Sequence, residues 1–241
     1  MPAIETKNLT KKFKEKTAVN DIELKIDKGE MFALLGTNGA GKTTTIKMLS
    51  TLILPTSGAV KINGMDIVKD RQNIRKIINV SPQETAIAPN LSVKENLEFM
   101  AGVYGIWQKE KKINELIEMF RLEEVISQKA KTLSGGWQRK VSIAISLINE
   151  PQILFLDEPT LGLDVIARRE LWGVIEKLKG RITIILTTHY MEEAESLSDR
   201  VGIMANGRLA DVGKPEELIE KSGAKSFEDA FVKIATGGGL Q

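Results

Sequence analysis

The chain has 241 residues, of which 42% are hydrophobic and 27% charged, the balance of an ordinary soluble globular protein with enough length to bury a core. Lys and Arg outnumber Asp and Glu by only 34 to 32, which argues against the concentrated basic face of a nucleic-acid binder. The chain has no cysteine, which excludes disulfides, thiolate catalysis and Cys-based metal sites.

The longest uncharged stretch, residues 48–60, contains Pro55 and Gly58 and falls short of the ~18 apolar residues of a spanning helix. Met1-Pro2-Ala3-Ile4-Glu5 lacks the apolar run of a leader peptide. The expectation is a cytoplasmic protein without direct membrane insertion, any membrane role coming through a partner.

In chain order, residues 22–26 alternate apolar and charged side chains, predicting a half-exposed strand. Residues 31–35 are continuously apolar, as a strand buried on both faces requires. That run feeds into Gly36-Thr37-Asn38-Gly39-Ala40-Gly41-Lys42-Thr43, which fits G-x-x-x-x-G-K-[ST], and residues 42–52 then have helical character. Such a loop needs glycines so that backbone N–H groups approach phosphates without a Cβ in the way. The following helix adds free N–H groups and its positive dipole end. Lys42 supplies a point charge to the β and γ phosphates, the Thr43 hydroxyl is a natural Mg²⁺ ligand, and Thr44 reaches the α-phosphate side.

Residues 60–62 before Asn63-Gly64 predict a short strand and tight turn, and residues 77–80 another strand, stopped by Ser81-Pro82. From about residue 83 to 149 the pattern turns helical. Ser92-x-x-Glu95 is a capping box opening a helix through Tyr104. Ile113, Leu116, Ile117 and Phe120 share one face of a helix over 111–120. A third helix opens near Ser134 and runs through Leu147; Ser134-Gly135-Gly136 alone reads as a Ser-capped helix start after a turn.

After Pro151 strands and helices alternate again. Residues 153–156 and 182–186 predict buried strands, 165–178 a helix, and Asn206-Gly207 a hairpin between 201–205 and 208–212. Residues 153–156 end in Asp157-Glu158, two carboxylates where a parallel strand meets its ligand crevice. Asp157 there can hold Mg²⁺ through water and Glu158 can polarise an attacking water, the main parts that phosphoryl transfer requires. The alternation predicts an α/β fold with a mostly parallel sheet and a helical insertion. Gly237-Gly238-Gly239 reads as a disordered end.

The succession of the glycine loop at 36–43, Gln83, Leu133-Ser134-Gly135-Gly136, Asp157-Glu158, Leu163-Asp164 and His189 resembles the ATP-binding cassette family across essentially the whole chain. The resemblance implies an α/β, P-loop NTPase (RecA-like) core with a small antiparallel β-subdomain and an inserted α-helical subdomain. Residues 1–241 are then one nucleotide-binding domain: 1–82 and 150–222 the core, 83–149 the helical subdomain carrying the signature, 223–241 a C-terminal tail. It also implies ATP and Mg²⁺ as cofactors, and a dimer in which nucleotide lies between the phosphate loop of one subunit and the Ser-Gly-Gly loop of the other. Ser134 and the Gly136 N–H then contact the γ-phosphate of the partner's ATP.

The resemblance further makes His189, an ordinary structural residue when read alone, the switch histidine beside the γ-phosphate. Gln83 becomes a sensor of Mg²⁺, Asp164 an interface residue, and Phe13 the aromatic on adenine, in place of the commoner tyrosine. Trp137 departs from the family's usual Gln, and its indole packs against the ribose or the partner surface, or else fills a groove, the packing being the expectation. A second ATPase subunit, identical or not, and an integral-membrane permease are the implied partners, placing the chain at the cytoplasmic face of the membrane.

The apolar loop Ala86-Ile87-Ala88-Pro89-Asn90 suits a permease-docking groove or a loop folded back on the core. Softer motifs, residues 90–97, 191–195 and 226–231, resemble the branch that exports drugs, ions or lipid-linked sugars. The alternatives are a soluble cassette ATPase without transport, of an assembly type, and a nucleotide-sensing module, the latter disfavoured by the presence of both Glu158 and His189.

Overall fold

The structure, a computed structural model, describes residues 1–237. Its first elements are β1 (Ile4–Phe13), β2 (Lys16–Ile26), β3 (Met31–Leu35), α1 (Lys42–Leu49), β4 (Ser57–Ile62), β5 (Met65–Asp66), α2 (Arg71–Ile77) and β6 (Ile78–Ser81). Between β6 and the next strand lie α3 (Val93–Val103), α4 (Lys109–Phe120) and α5 (Gly135–Ser146). The chain then runs through β7 (Ile153–Asp157), α6 (Val165–Glu176), β8 (Thr183–Thr188), α7 (Met191–Leu197), β9 (Arg200–Ala205), β10 (Arg208–Gly213), α8 (Pro215–Ser222) and α9 (Phe227–Ala235). Among the described residues no helix is long and apolar enough to cross a membrane.

The strands form two sheets. One is antiparallel, in the order β2-β1-β4-β5; the other runs β10-β9-β3-β8-β7-β6. In the larger sheet every pair is parallel except β9 with β10, which the Asn206-Gly207 turn joins as a hairpin. Parallel pairing brings the carboxyl ends of β3, β6, β7 and β8 to one edge: Leu35 lies opposite Thr188, Asp157 opposite Thr187, and Ser81 opposite Leu156. The loops beginning at Gly36, Pro82, Glu158 and His189 therefore leave the sheet side by side, where open α/β sheets bind ligands.

The two-residue side-chain period divides the core. Met31, Ala33, Leu35, Leu154, Leu156, Ile184 and Leu186 face a layer that includes α3, α4, α5, α6 and α7. Phe32, Leu34, Ile153, Phe155 and Ile185 face α1 and the antiparallel sheet. Strands so placed must be apolar on both sides, which is why 31–35 and 153–156 carry unbroken hydrophobic runs.

Some boundaries differ from the sequence reading. β2 begins at Lys16, well before residue 22, because pairing with β1 extends through residues 16–19, where Val19 alone is buried and the apolar-charged alternation is lost. α1 stops at Leu49, where Ser50 caps it and Thr51 turns to φ 63. α6 ends at Glu176 instead of 178. β1 gives no clean alternation because bulges interrupt its pairing with β2 after Thr6, Leu9 and Lys11. Gly237 lies in a turn after α9; Gly238 and Gly239 lie outside the described residues.

Candidate functional site

Residues 36–41 turn the chain from β3 into α1. Gly41 adopts φ 105, and a Cβ there would stand 2.6 Å from the Ala18 carbonyl oxygen, so no other residue fits. Gly41 also occupies the cap position of α1 without a side-chain cap, leaving the helix's first N–H groups for an anion. The loop, with Lys16, Ala18, Gln83, Glu158, Leu161 and His189, lines a cleft of about 440 Å³.

Lys42 is buried, its Nζ donating to the carbonyls of Gly36 at 2.6 Å and Thr37 at 3.3 Å. The same ammonium lies 3.1 Å from Glu158 Oε1. The other Glu158 oxygen, Oε2, is 2.8 Å from His189 Nδ1. Glu158 thus joins a cation of the phosphate loop to the only histidine of the chain. Asp157 Oδ1 accepts from Thr43 Oγ1 at 3.1 Å and from Thr187 Oγ1 at 2.6 Å.

Among the described residues no group of three or more His, Cys, Asp or Glu is placed to hold a metal by itself. A hydroxyl and one carboxylate 3.1 Å apart, beside a phosphate loop, nevertheless fit Mg²⁺. That ion keeps several waters and takes substrate phosphates as ligands, needing only one or two protein oxygens.

Residues 37–44, Gln83, Glu158 and His189 converge on this cleft. Phe13, Ser134, Gly135, Gly136 and Asp164 are not among its lining, and Gly36 and Asp157 lie just behind it, hydrogen-bonded to Lys42 and Thr43. Phe13 ends β1, half exposed and paired across the hairpin with Lys16. Ser134 caps α5, accepting from the Trp137 N–H at 3.5 Å, and Asp164 caps α6, accepting from the N–H groups of Ile166 and Ala167 at 2.9 Å each. The two helix starts adjoin: a Cβ on Gly136 would lie 3.2 Å from the Ala167 Cβ. Around them Val165 and Ile166 are 63% and 74% exposed.

The Trp137 indole, partly buried against the larger core, lines an open groove between α4, α5 and α6, with Lys140 Nζ 4.4 Å from its ring. In the 86–90 loop, Ile87 packs against the larger core and Ala88 is tied at both N–H and C=O to the Asn96 side chain. These two residues fold back on the protein.

Two buried residues at the site escape the motif reading. Arg139 donates from Nη1 to the Pro82 carbonyl at 2.7 Å, and from Nη2 to the carbonyls of Gln83 at 2.6 Å and Glu158 at 3.2 Å. Burial lowers its pKa, opposed by the charges of Asp157 and Glu193, and a guanidinium stays protonated all the same. Thr187 holds Asp157 and, through Oγ1, the Glu158 N–H at 3.0 Å. Arg139, Ser142 and Ser146 make a buried polar stripe at helical spacing, which is the signal that marks Arg139 within α5.

A strand-loop-helix phosphate cradle on a mostly parallel sheet, with an acidic strand end beside it, defines a P-loop nucleoside-triphosphatase fold carrying an inserted helical layer. The model of the ABC transporter family matches residues 19–161, and the chain belongs to that family. It is 36% identical over 238 residues to the linearmycin resistance ATP-binding protein LnrL of Bacillus subtilis, covering 98% of this chain and 75% of that protein. It is 39% identical over 240 residues to the probable multidrug ABC transporter ATP-binding protein YbhF of Escherichia coli, covering 96% of this chain. With the human phospholipid-transporting ATPase ABCA3 it shares 41% identity over 227 residues, 92% of this chain. The chain spans only 13% of ABCA3 and 41% of YbhF.

A solved ATP-binding subunit of an ABC transporter superposes with a TM-score of 0.86 at 31% identity, over 96% of this chain and 99% of that one. A dimeric ATP-binding cassette in a post-hydrolysis state, bound to ADP and Pi, gives 0.79 at 28% identity, over 88% of this chain and 98% of that one.

Proposed function

We propose that this chain binds and hydrolyses Mg²⁺-ATP as the motor subunit of an exporter, closing as a dimer around nucleotide to drive a membrane permease. The observation that carries the reading is the Glu158 carboxylate, held between Lys42 at 3.1 Å and His189 at 2.8 Å at the mouth of the phosphate loop. A triphosphate seated on the 36–43 loop competes for the Lys42 ammonium, and Glu158 is then released to polarise water. His189 orients that water or donates to the γ-phosphate. Thr43, Asp157 (through water) and Gln83 hold Mg²⁺, which neutralises phosphate charge. Phe13, at the exposed edge of β1, offers a π face to adenine.

Ser134, Gly135 and Gly136 act on the ATP of the partner subunit, with Asp164 at the interface. Their separation from the cleft of their own chain, and the exposed Val165 and Ile166 beside them, support this assignment. We divide the chain accordingly into a core, residues 1–82 and 150–222, a signature-bearing arm at 83–149, and a tail from 223. Export is supported by the multidrug, antibiotic-resistance and phospholipid-transporting relatives. The chain then works at the cytoplasmic face of the membrane through its permease.

Glu158→Gln tests the reading. The variant is expected to lose ATP hydrolysis, retain ATP and elute as a dimer in size-exclusion chromatography at saturating ATP. A monomer under those conditions would refute the sandwich, and retained hydrolysis would remove Glu158 from its role.

A further inference from the structure

We propose that Arg139 is a positioning residue for hydrolysis, fixing Glu158 and Gln83 relative to each other by holding their backbone carbonyls. The inference rests on the reading that Glu158 acts on the attacking water. Three observations point to it. Arg139 is 4% exposed and forms no ion pair among the described residues, spending its fork on the carbonyls of Pro82, Gln83 and Glu158. Burying a guanidinium without a carboxylate partner is costly, and a fold needing only to fill that space has cheaper apolar solutions. One nitrogen, Nη2, serves both Gln83 and Glu158, so the two loops leaving β6 and β7 share a single anchor.

Glu158 itself stands at φ 50, a left-handed conformation that a bulky L residue keeps only when its surroundings impose it. Its N–H is fixed by Thr187, to O at 3.1 Å and to Oγ1 at 3.0 Å. Its C=O faces Arg139 at 3.2 Å. With both sides of the residue held, the carboxylate projects into the cleft toward Lys42 and His189. Arg139 sits on α5, the helix that Ser134 opens. The helix bearing the Ser-Gly-Gly start is thereby linked through one side chain to Glu158, assigned to the water, and Gln83, assigned to Mg²⁺, and a shift of α5 moves both.

The expected signature is a loss in turnover without a matching loss in nucleotide binding, because the 36–43 loop makes no hydrogen bond to Arg139. Arg139→Lys keeps the charge but cannot span three carbonyls; Arg139→Gln keeps one donor group and loses the charge. Both are assayed in the full chain for kcat, KM, affinity for a fluorescent ATP analogue, and Tm. Both are expected to lower kcat by about 30- to 100-fold, as misplacement of a reacting group by an ångström does, with KM and analogue affinity within about threefold.

Wild-type kcat in a folded Arg139→Lys chain overturns the proposal. So does a fall in affinity that matches the fall in kcat, and so does failure of both variants to fold, since Arg139 would then serve the fold alone. Glu158→Gln runs alongside. If it still hydrolyses ATP, the reading of Glu158 fails; if it is inactive while Arg139→Lys is unimpaired, only the Arg139 proposal fails.

Discussion

Glu193, on the first turn of α7, is fully buried, its Oε1 accepting from the Trp172 indole N–H at 3.0 Å while Oε2 has no hydrogen-bond partner among the described residues. Burial pushes its carboxyl above the ordinary range, opposed by the Thr188, Trp172 and Thr160 side chains and reinforced by the charge of Glu158. A raised carboxyl means that the folded chain holds a proton that the unfolded chain has already released. Stability therefore falls as pH rises from the ordinary carboxylate range towards the raised value. Glu193→Gln keeps the shape and the acceptor for Trp172 without the charge. It is expected to raise Tm by about 2–4 °C near pH 8 and to leave it unchanged near about pH 4, read as the difference from wild type in thermal melts. A constant difference at every pH would refute the titration of Glu193.

Residues such as Lys42, Thr43, Asp157 and Glu158 were legible because their chemistry demands given side chains at given spacings after a buried strand. For Arg139 the polar stripe of α5 marks the position but not the role, because its partners are carbonyls 57, 56 and 19 residues away. A backbone acceptor leaves no mark in a sequence pattern.

At the scale of elements, α5 and α6 begin with caps of different quality. Asp164 accepts two N–H bonds of 2.9 Å, whereas Ser134 accepts one of 3.5 Å. Asp164→Ala is accordingly expected to cost about 1 kcal/mol of stability and Ser134→Ala less, about 0.5 kcal/mol, measured by denaturant unfolding. If Ser134 serves the partner's nucleotide, its variant nevertheless loses ATPase activity well beyond its effect on stability. Equal and small losses in both readouts would return Ser134 to a plain cap.

The capping box at Ser92 and the runs in β3 and β7 were readable because each imposes a local pattern. β1 was not, since its bulges and Asn8 at φ 49 break the two-residue period. α8 and α9 carried legible punctuation at Pro215, Gly223 and Ser226, which the alternation of strands and helices alone did not use.

For the whole molecule, the parallel sheet gathers the phosphate loop, Asp157-Glu158 and His189 at one edge, whereas the Ser134 and Asp164 helix starts stay outside the cleft of their own chain. Order along the sequence, through the family resemblance, suggested both halves of a site and their division between subunits; the physical separation within one chain follows from how the helical layer packs on the sheet. If the halves meet across a dimer, two inactive chains must complement. A Ser134→Arg chain retains its phosphate loop, and a Lys42→Ala chain retains its Ser-Gly-Gly loop. In their heterodimer one composite site has both parts intact and the other has neither. Mixed in equal amounts, with half of the dimers heterologous, the pair is expected to recover about a quarter of the wild-type ATPase rate, whereas each chain alone stays inactive. Cooperation between the two sites would lower that fraction without abolishing it. A mixture as inactive as its components, with heterodimers demonstrated by distinguishable tags, would mean that the Ser134 loop acts within its own chain or not on nucleotide at all.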